Sequence, residues 1–239
     1  MIDHTVRAFD ADLQELAQKI GEMGRLDKQQ IADAIAALMN RDLALAKRII
    51  ADDDRVDALQ HEIEEKAVVA ITRRQPMAID LREIVGALRI SNDLERLGDL
   101  AENIAKRVLL LTEEFRIEEV MPQVQRMAEL VLGQLTRVLE SYERRDVDEA
   151  LNVWRKDRVI DALNDSLFRQ LLTYMMEAPR NIAFCAHLLF CAKNIERMGD
   201  HATNIAETVY YIVQGKPLSE ECPKADFTSR QKFDRSLVG

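Results

Sequence analysis

The chain has 239 residues, of which 47% are hydrophobic and 31% charged, with only 8 Gly and 5 Pro. That is the profile of a helix-rich globular protein and excludes a disordered one, while aromatics at 5% leave Leu, Ile, Val, Ala and Met to fill the core. The net charge of −9 argues against non-specific nucleic-acid binding and suits cation binding.

Taken in chain order, Val6, Phe9, Leu13, Leu16, Ile20 and Met23 recur in steps of three and four, and the pattern resumes at Ile31, Ile35 and Leu38. This predicts one long helix from about 4 to 40, with Gly21 and Gly24 as a possible break. A second helix is expected from about 42 to 73. Pro76 marks the start of a third, which runs to about Leu111. Thr112-Glu113-Glu114 interrupts the periodicity, and Pro122 opens a fourth helix. A turn near Arg144-Arg145-Asp146 leads to a fifth, ending near Glu177. Pro179 starts a sixth, which stops at Gly215-Lys216-Pro217. No segment reads as a strand. Residues 218–239 are polar and aperiodic, which predicts a mobile tail.

The start of the chain lacks the apolar segment of a signal peptide. The most apolar run, residues 183–192, is far short of the roughly 20 residues that span a bilayer. The three cysteines form no CxxC, and Cys185 and Cys191 lie on an apolar stretch, which points to buried thiols in a reducing compartment. A cytoplasmic protein is expected, with any membrane connection made through a partner.

The block Glu95-Arg96-Leu97-Gly98-Asp99-Leu100-Ala101-Glu102-Asn103-Ile104-Ala105 returns 101 positions later as Glu196-Arg197-Met198-Gly199-Asp200-His201-Ala202-Thr203-Asn204-Ile205-Ala206, with eight of eleven pairs identical. Fainter echoes precede it. Asp53, Asp57, Ala58 and Leu59 return as Asp157, Asp161, Ala162 and Leu163, and Arg41-Asp42 returns as Arg145-Asp146. A unit used twice predicts an all-α fold of two tandem three-helix bundles related by an internal pseudo-two-fold repeat, over 1–113 and 114–217.

What recurs is acidic. Glu95 and Asp99, like Glu196 and Asp200, lie four apart, so their side chains share one helix face about 5–6 Å from each other. Each stands one residue beyond an apolar seam position, roughly 100° round the helix, and so flanks the bundle. Gly98 and Gly199 each cost about 1 kcal/mol of helix propensity, which implies close approach of another backbone there. Asp53 and Asp157 occupy seam positions of the preceding helices, and an interior carboxylate needs a partner. Bringing Asp53/Asp57 opposite Glu95/Asp99, and Asp157/Asp161 opposite Glu196/Asp200, gathers four carboxylates in each half. Oxygen-only clusters of this kind suit Mg, Mn or Fe ions. The plainer alternative is that Arg96, Arg197, Lys106 or Arg55 neutralises these acids as ordinary ion pairs. His61 and His201 adjoin the acids and could touch an ion or be merely solvated.

The paired E-R-x-G-D-x-A-x-N-I-A blocks, the D-x-x-x-D elements and Arg73-Arg74-Gln75-Pro76…Asp80-Leu81-Arg82 resemble the PhoU family over nearly the whole chain. The resemblance implies a non-enzymatic cytoplasmic regulator, often a homodimer, that represses the phosphate-starvation response. It implies as partners a phosphate ABC transporter, through its ATPase, and a sensor histidine kinase. It also implies metal, of the Fe, Mn, Mg or Zn type, at Asp53, Asp57, Glu95, Asp99, Asp157, Asp161, Glu196 and Asp200. His201 and Thr203 stand against Leu100 and Glu102, so the two sites are expected to differ. Two other readings stay open: a ferritin-like di-metal carboxylate enzyme, disfavoured because no Glu-x-x-His pair occurs, and a helical scaffold without metal.

Overall fold

Apolar residues every third or fourth position wind the first forty residues into one helix, α1 (Ile2–Asn40), with Leu16, Ile20, Met23, Ile31, Ala34 and Leu38 buried along it. The computed structural model describes residues 2–74, 76–111 and 118–218, and of 2–9 and 74 the backbone alone. The expected seam members Val6 and Phe9 therefore lie outside the described side chains. Gly21 and Gly24 do not break α1. A Cβ at Gly24 would lie 2.5 Å from Leu139 Cδ1, so the glycine marks where another helix closes in.

The helix expected from 42 to 73 is two helices, α2 (Leu43–Asp52) and α3 (Asp54–Arg74). After α4 (Ile79–Val108) and α5 (Met121–Arg144), the fifth expected helix divides likewise into α6 (Val147–Lys156) and α7 (Arg158–Glu177), and α8 (Ile182–Gln214) follows. The breaks fall at Asp53 and Asp157. Both residues keep helical backbone angles, but the chain tightens there: Val56 N–H donates to the Asp53 carbonyl at 3.0 Å and Ile160 N–H to that of Asp157 at 2.8 Å. Each break is thus a one-turn kink of the 3₁₀ kind in an otherwise continuous rod.

The repeated Arg-Asp pair is the corner before each rod. Arg41 and Arg145 both take φ 54°, the left-handed turn that ends a helix. Asp42 then caps α2 by accepting from Ala44 N and Leu45 N, and Asp146 caps α6 by accepting from Glu149 N. Pro76 does not start the third helix. The chain turns at Ala78, φ 42°, and α4 begins at Ile79. Pro122 stands in the first turn of α5, and Pro179 opens a single 3₁₀ turn, Pro179–Asn181, leading into α8. Gly215, φ 73°, closes α8 with its N–H on the Tyr211 carbonyl.

The two halves meet along matching helices. Gly86 packs against Thr208 and Ile212, Asp93 against His201 and Asn204, and Arg107 stacks on Phe190, so α4 and α8 run antiparallel. In the same sense, Gly21 lies beside Glu143 and Gly24 beside Leu139, which makes α1 and α5 antiparallel. One continuous apolar core joins both halves. The fold is two three-helix bundles in pseudo-two-fold relation, all-α among the described residues, with the middle rod of each bundle kinked. Cys185 and Cys191 are buried free thiols, and burial pushes the Cys191 thiol up to about 12. Leu218 packs on the core, while the rest of the expected tail, 219–239, lies outside the described residues. Among the described residues no helix is long and apolar enough to cross a membrane.

Candidate metal centre

Each kink delivers a carboxylate onto a glycine. A Cβ placed on Gly98 would lie 3.4 Å from Asp53 Oδ1 and 3.3 Å from Gln30 Oε1. One on Gly199 would lie 2.7 Å from Asp157 Oδ1 and 3.5 Å from Gln134 Oε1. The expectation that another backbone approaches these glycines is corrected: a seam aspartate and a glutamine side chain occupy the space. The break in each rod and this contact fall at the same residue.

Around this contact the expected acids come within electrostatic reach of one another. In the first half Asp53 lies within the field of Asp57, Asp99 and Glu102, and Glu95 within that of Asp99 and Asp57. In the second half Asp157 feels Asp161, Asp200 and Glu196. Burial, and then these like charges, push Asp53 up to about 6 and Asp157 up to about 7. Burial likewise raises Glu95 and Glu196. Asp157 and Asp161 are buried at 1% and 6% exposure, whereas Asp53 is half-buried, so the second centre is the more enclosed.

Two kinds of partner compete for these oxygens. Arg96 stands beside Glu95 Oε2 at 3.3 Å and donates to Asp99 Oδ2 at 2.9 Å, as the ion-pair alternative anticipates. Lys106 pairs instead with Glu102, and in the second half Lys193, which the sequence did not single out, lies 2.6 Å from Glu196 Oε2. These cations sit on the outer, exposed side. On the inner side Asp157 Oδ2, Gln30 Oε1 and Gln134 Oε1 are buried acceptors with no donor, and Gln134 Nε2 reaches Asp157 Oδ1 only at 3.5 Å. Buried acceptors without donors are costly, and a hard cation is the partner that an all-oxygen set accepts. Among the described residues no group of three or more His, Cys, Asp or Glu side chains stands together as metal ligands would. By donor chemistry alone, carboxylate and amide oxygens of this kind are the ligands that a hard cation takes.

The histidines are accounted for differently. The His61 ring hydrogen-bonds through Nδ1 to the Asp57 carbonyl of its own helix at 2.8 Å, which raises its pKa. His201 follows Asp200 in the chain but faces the other half, where Asp93 Oδ1 accepts from its Nδ1 at 2.9 Å and from Asn204 Nδ2 at 3.2 Å.

Three site residues escaped the sequence reading. Gln30 and Gln134 are displaced by 104, the displacement that relates Asp53 to Asp157, so the repeat itself carried the signal. Asp27 is fully buried on α1 with neither carboxylate oxygen partnered, and lies in the field of Asp53 and Glu95. Its signal was a step of four from Met23 onto an acid within an apolar seam.

A family model described as the PhoU domain matches this chain twice, over residues 20–108 and 124–209. The chain is 52% identical over 226 residues to the phosphate-specific transport system accessory protein PhoU homolog of Rhizobium meliloti (strain 1021), covering 95% of each chain. It is 47% identical to the homolog of the same name from Caulobacter vibrioides (strain NA1000 / CB15N), covering 96% of this chain and 100% of that one. It is also similar to the crystal structure of PhoU from Pseudomonas aeruginosa, at a TM-score of 0.83 and 36% identity, covering 87% of this chain and 100% of that one.

Proposed function

The chain belongs to the PhoU family, and on that premise we propose that it is a non-catalytic accessory regulator of phosphate-specific transport that carries cations on two acidic faces. As a cytoplasmic adaptor, often as a homodimer, it docks on the ATPase of a phosphate ABC transporter and on a sensor histidine kinase. There it restrains phosphate uptake and the phosphate-starvation response. Residues 1–113 and 114–217 act as its two units. The relatives' names support the transport role, and the absence of a membrane-spanning helix among the described residues agrees with an adaptor.

The metal part of the proposal rests on one observation: at equivalent places in both halves, interior carboxylate or amide oxygens face like charges with no donor to satisfy them. Asp53, Asp57, Glu95 and Asp99 would hold the cation of the first half, and Asp157, Asp161, Glu196 and Asp200 that of the second. A bound cation neutralises the crowded charge and fixes α3 to α4 and α7 to α8, shaping the acidic faces as docking surfaces. A ferritin-like enzyme reading requires Glu-x-x-His pairs projecting into the bundle centre. Here the corresponding seam is filled by Ala101, Ile104, Ala105, Ala202, Ile205 and Ala206.

The test compares the intact protein with Glu95→Ala/Asp99→Ala and Glu196→Ala/Asp200→Ala, reading bound metal and repression of phosphate-responsive genes together. Loss of one centre's metal with weakened repression is expected from each pair. Metal lost with repression intact would remove the cation from the regulatory role, and neither changed would make these acids surface charge.

A further inference from the structure

The two centres are not copies of each other. Asp27 and Gln30 stand one turn apart on α1, and Gln30 reaches the space above Gly98 that Asp53 also occupies. The residue displaced by 104 from Asp27 is Val131, a fully buried apolar side chain, while Gln134 keeps the place of Gln30. The first half therefore holds an interior carboxylate where the second holds a valine. Asp27 has no exposed surface, and neither of its oxygens has a hydrogen-bond partner. The charges that act on it are Asp53 and Glu95, both negative, and neither offers it a partner. Protonation removes the charge but leaves a buried hydroxyl and carbonyl still without partners. An oxygen ligand for a cation, one turn from Gln30 and in the field of Asp53 and Glu95, is a role that such a buried carboxylate fits.

Resting on the metal reading above, we propose that Asp27 is a fifth carboxylate of the first-half centre, an inner ligand that the second half lacks, so that the two centres bind the same cation with different affinity. The first centre is then ligated from three helices, α1 as well as α3 and α4, and its occupancy ties α1 to the kinked rod. The second draws its acids from α7, its kink and α8 alone.

Mn²⁺ serves as the probe, because it favours oxygen ligands and its paramagnetic resonance reports bound ion. In the full chain carrying Glu196→Ala/Asp200→Ala, titration calorimetry reads the first centre alone. There, Asp27→Asn and Asp27→Val are expected to weaken Mn²⁺ binding about tenfold to a hundredfold. In the chain carrying Glu95→Ala/Asp99→Ala, which reads the second centre, Asp27→Val is expected to leave the affinity unchanged. A role in packing alone would move both centres or neither. The metal-free Asp27→Val chain should melt higher than its parent, since it loses an unpaired acid, yet gain less on adding Mn²⁺. Circular dichroism checks that both variants keep their helix content. Equal Mn²⁺ affinity of the first centre with and without Asp27 would overturn this inference and leave the metal reading standing. An intact chain that binds no Mn²⁺ would overturn both.

Discussion

At the scale of the residue, Asp157 concentrates the energetics of the second centre. Its carboxyl is raised from an ordinary 3.8 to about 7, first by burial and then by Asp161 and Asp200. Below about pH 4 both the folded and the unfolded chain hold this proton. Between there and about pH 7 the unfolded chain releases it while the folded chain keeps it. The native state then binds the excess proton, so stability falls as pH rises and levels off above 7. Asp53, raised to about 6, adds a smaller loss that ends sooner. After chelation the melting temperature should therefore decline from pH 5 to 7.5, and Asp157→Asn should flatten most of that decline. An Asp157→Asn chain with the parent's slope would show that this carboxyl ionises freely in the fold. On the proposed metal reading a cation would take the proton's place, so metal binding at this centre should strengthen over the same interval.

At the scale of the element, the kinked rod and the facing glycine form one device. Replacing Gly98 by Ala puts a methyl 3.3 Å from the end of the flexible Gln30 side chain, which can shift. That change should be close to neutral or stabilising by up to about 1 kcal/mol, since Ala is the better helix former. Replacing Gly199 puts the methyl 2.7 Å from Asp157 Oδ1 and 3.3 Å from Ile160 Cδ1, both held at the corner between α6 and α7. A net loss of about 1–3 kcal/mol is expected, as for other overpacked sites, measured by urea unfolding. Equal effects of the two substitutions would mean that the two glycines are packed alike, against the difference in these distances. The glycines and acids were legible because an eleven-residue block repeats them. The kinks were not, because the seam Ile49, Asp53, Val56 runs through without a phase change and no Pro or Gly marks the break. At each break the aspartate lies against a glycine of another helix, a contact outside any local window. Pro76 misled for a related reason: the turn at Ala78 sets where α4 begins, and an alanine at φ 42° has no sequence signal.

At the scale of the molecule, duplication gave the chain two acidic faces and one shared core, with α4 laid antiparallel on α8 and α1 on α5. That there are two bundles could be read from the repeat. How they pack could not, since the contacts that join them, such as His201 with Asp93 and Arg107 with Phe190, pair residues with no common motif. The same duplication allowed divergence, with Asp27 against Val131, enclosed Asp157 against half-open Asp53, and Lys193 against Arg96 as the outer cation. The central claim is that a cation completes each set of carboxylates. Crystals grown with Mn²⁺ and measured on both sides of the manganese absorption edge test it directly. The account predicts an anomalous peak in each half, between the Asp53 kink and Glu95/Asp99 and between the Asp157 kink and Glu196/Asp200. A map without a peak in either half, with Arg96 and Lys193 still holding their glutamates, would contradict it.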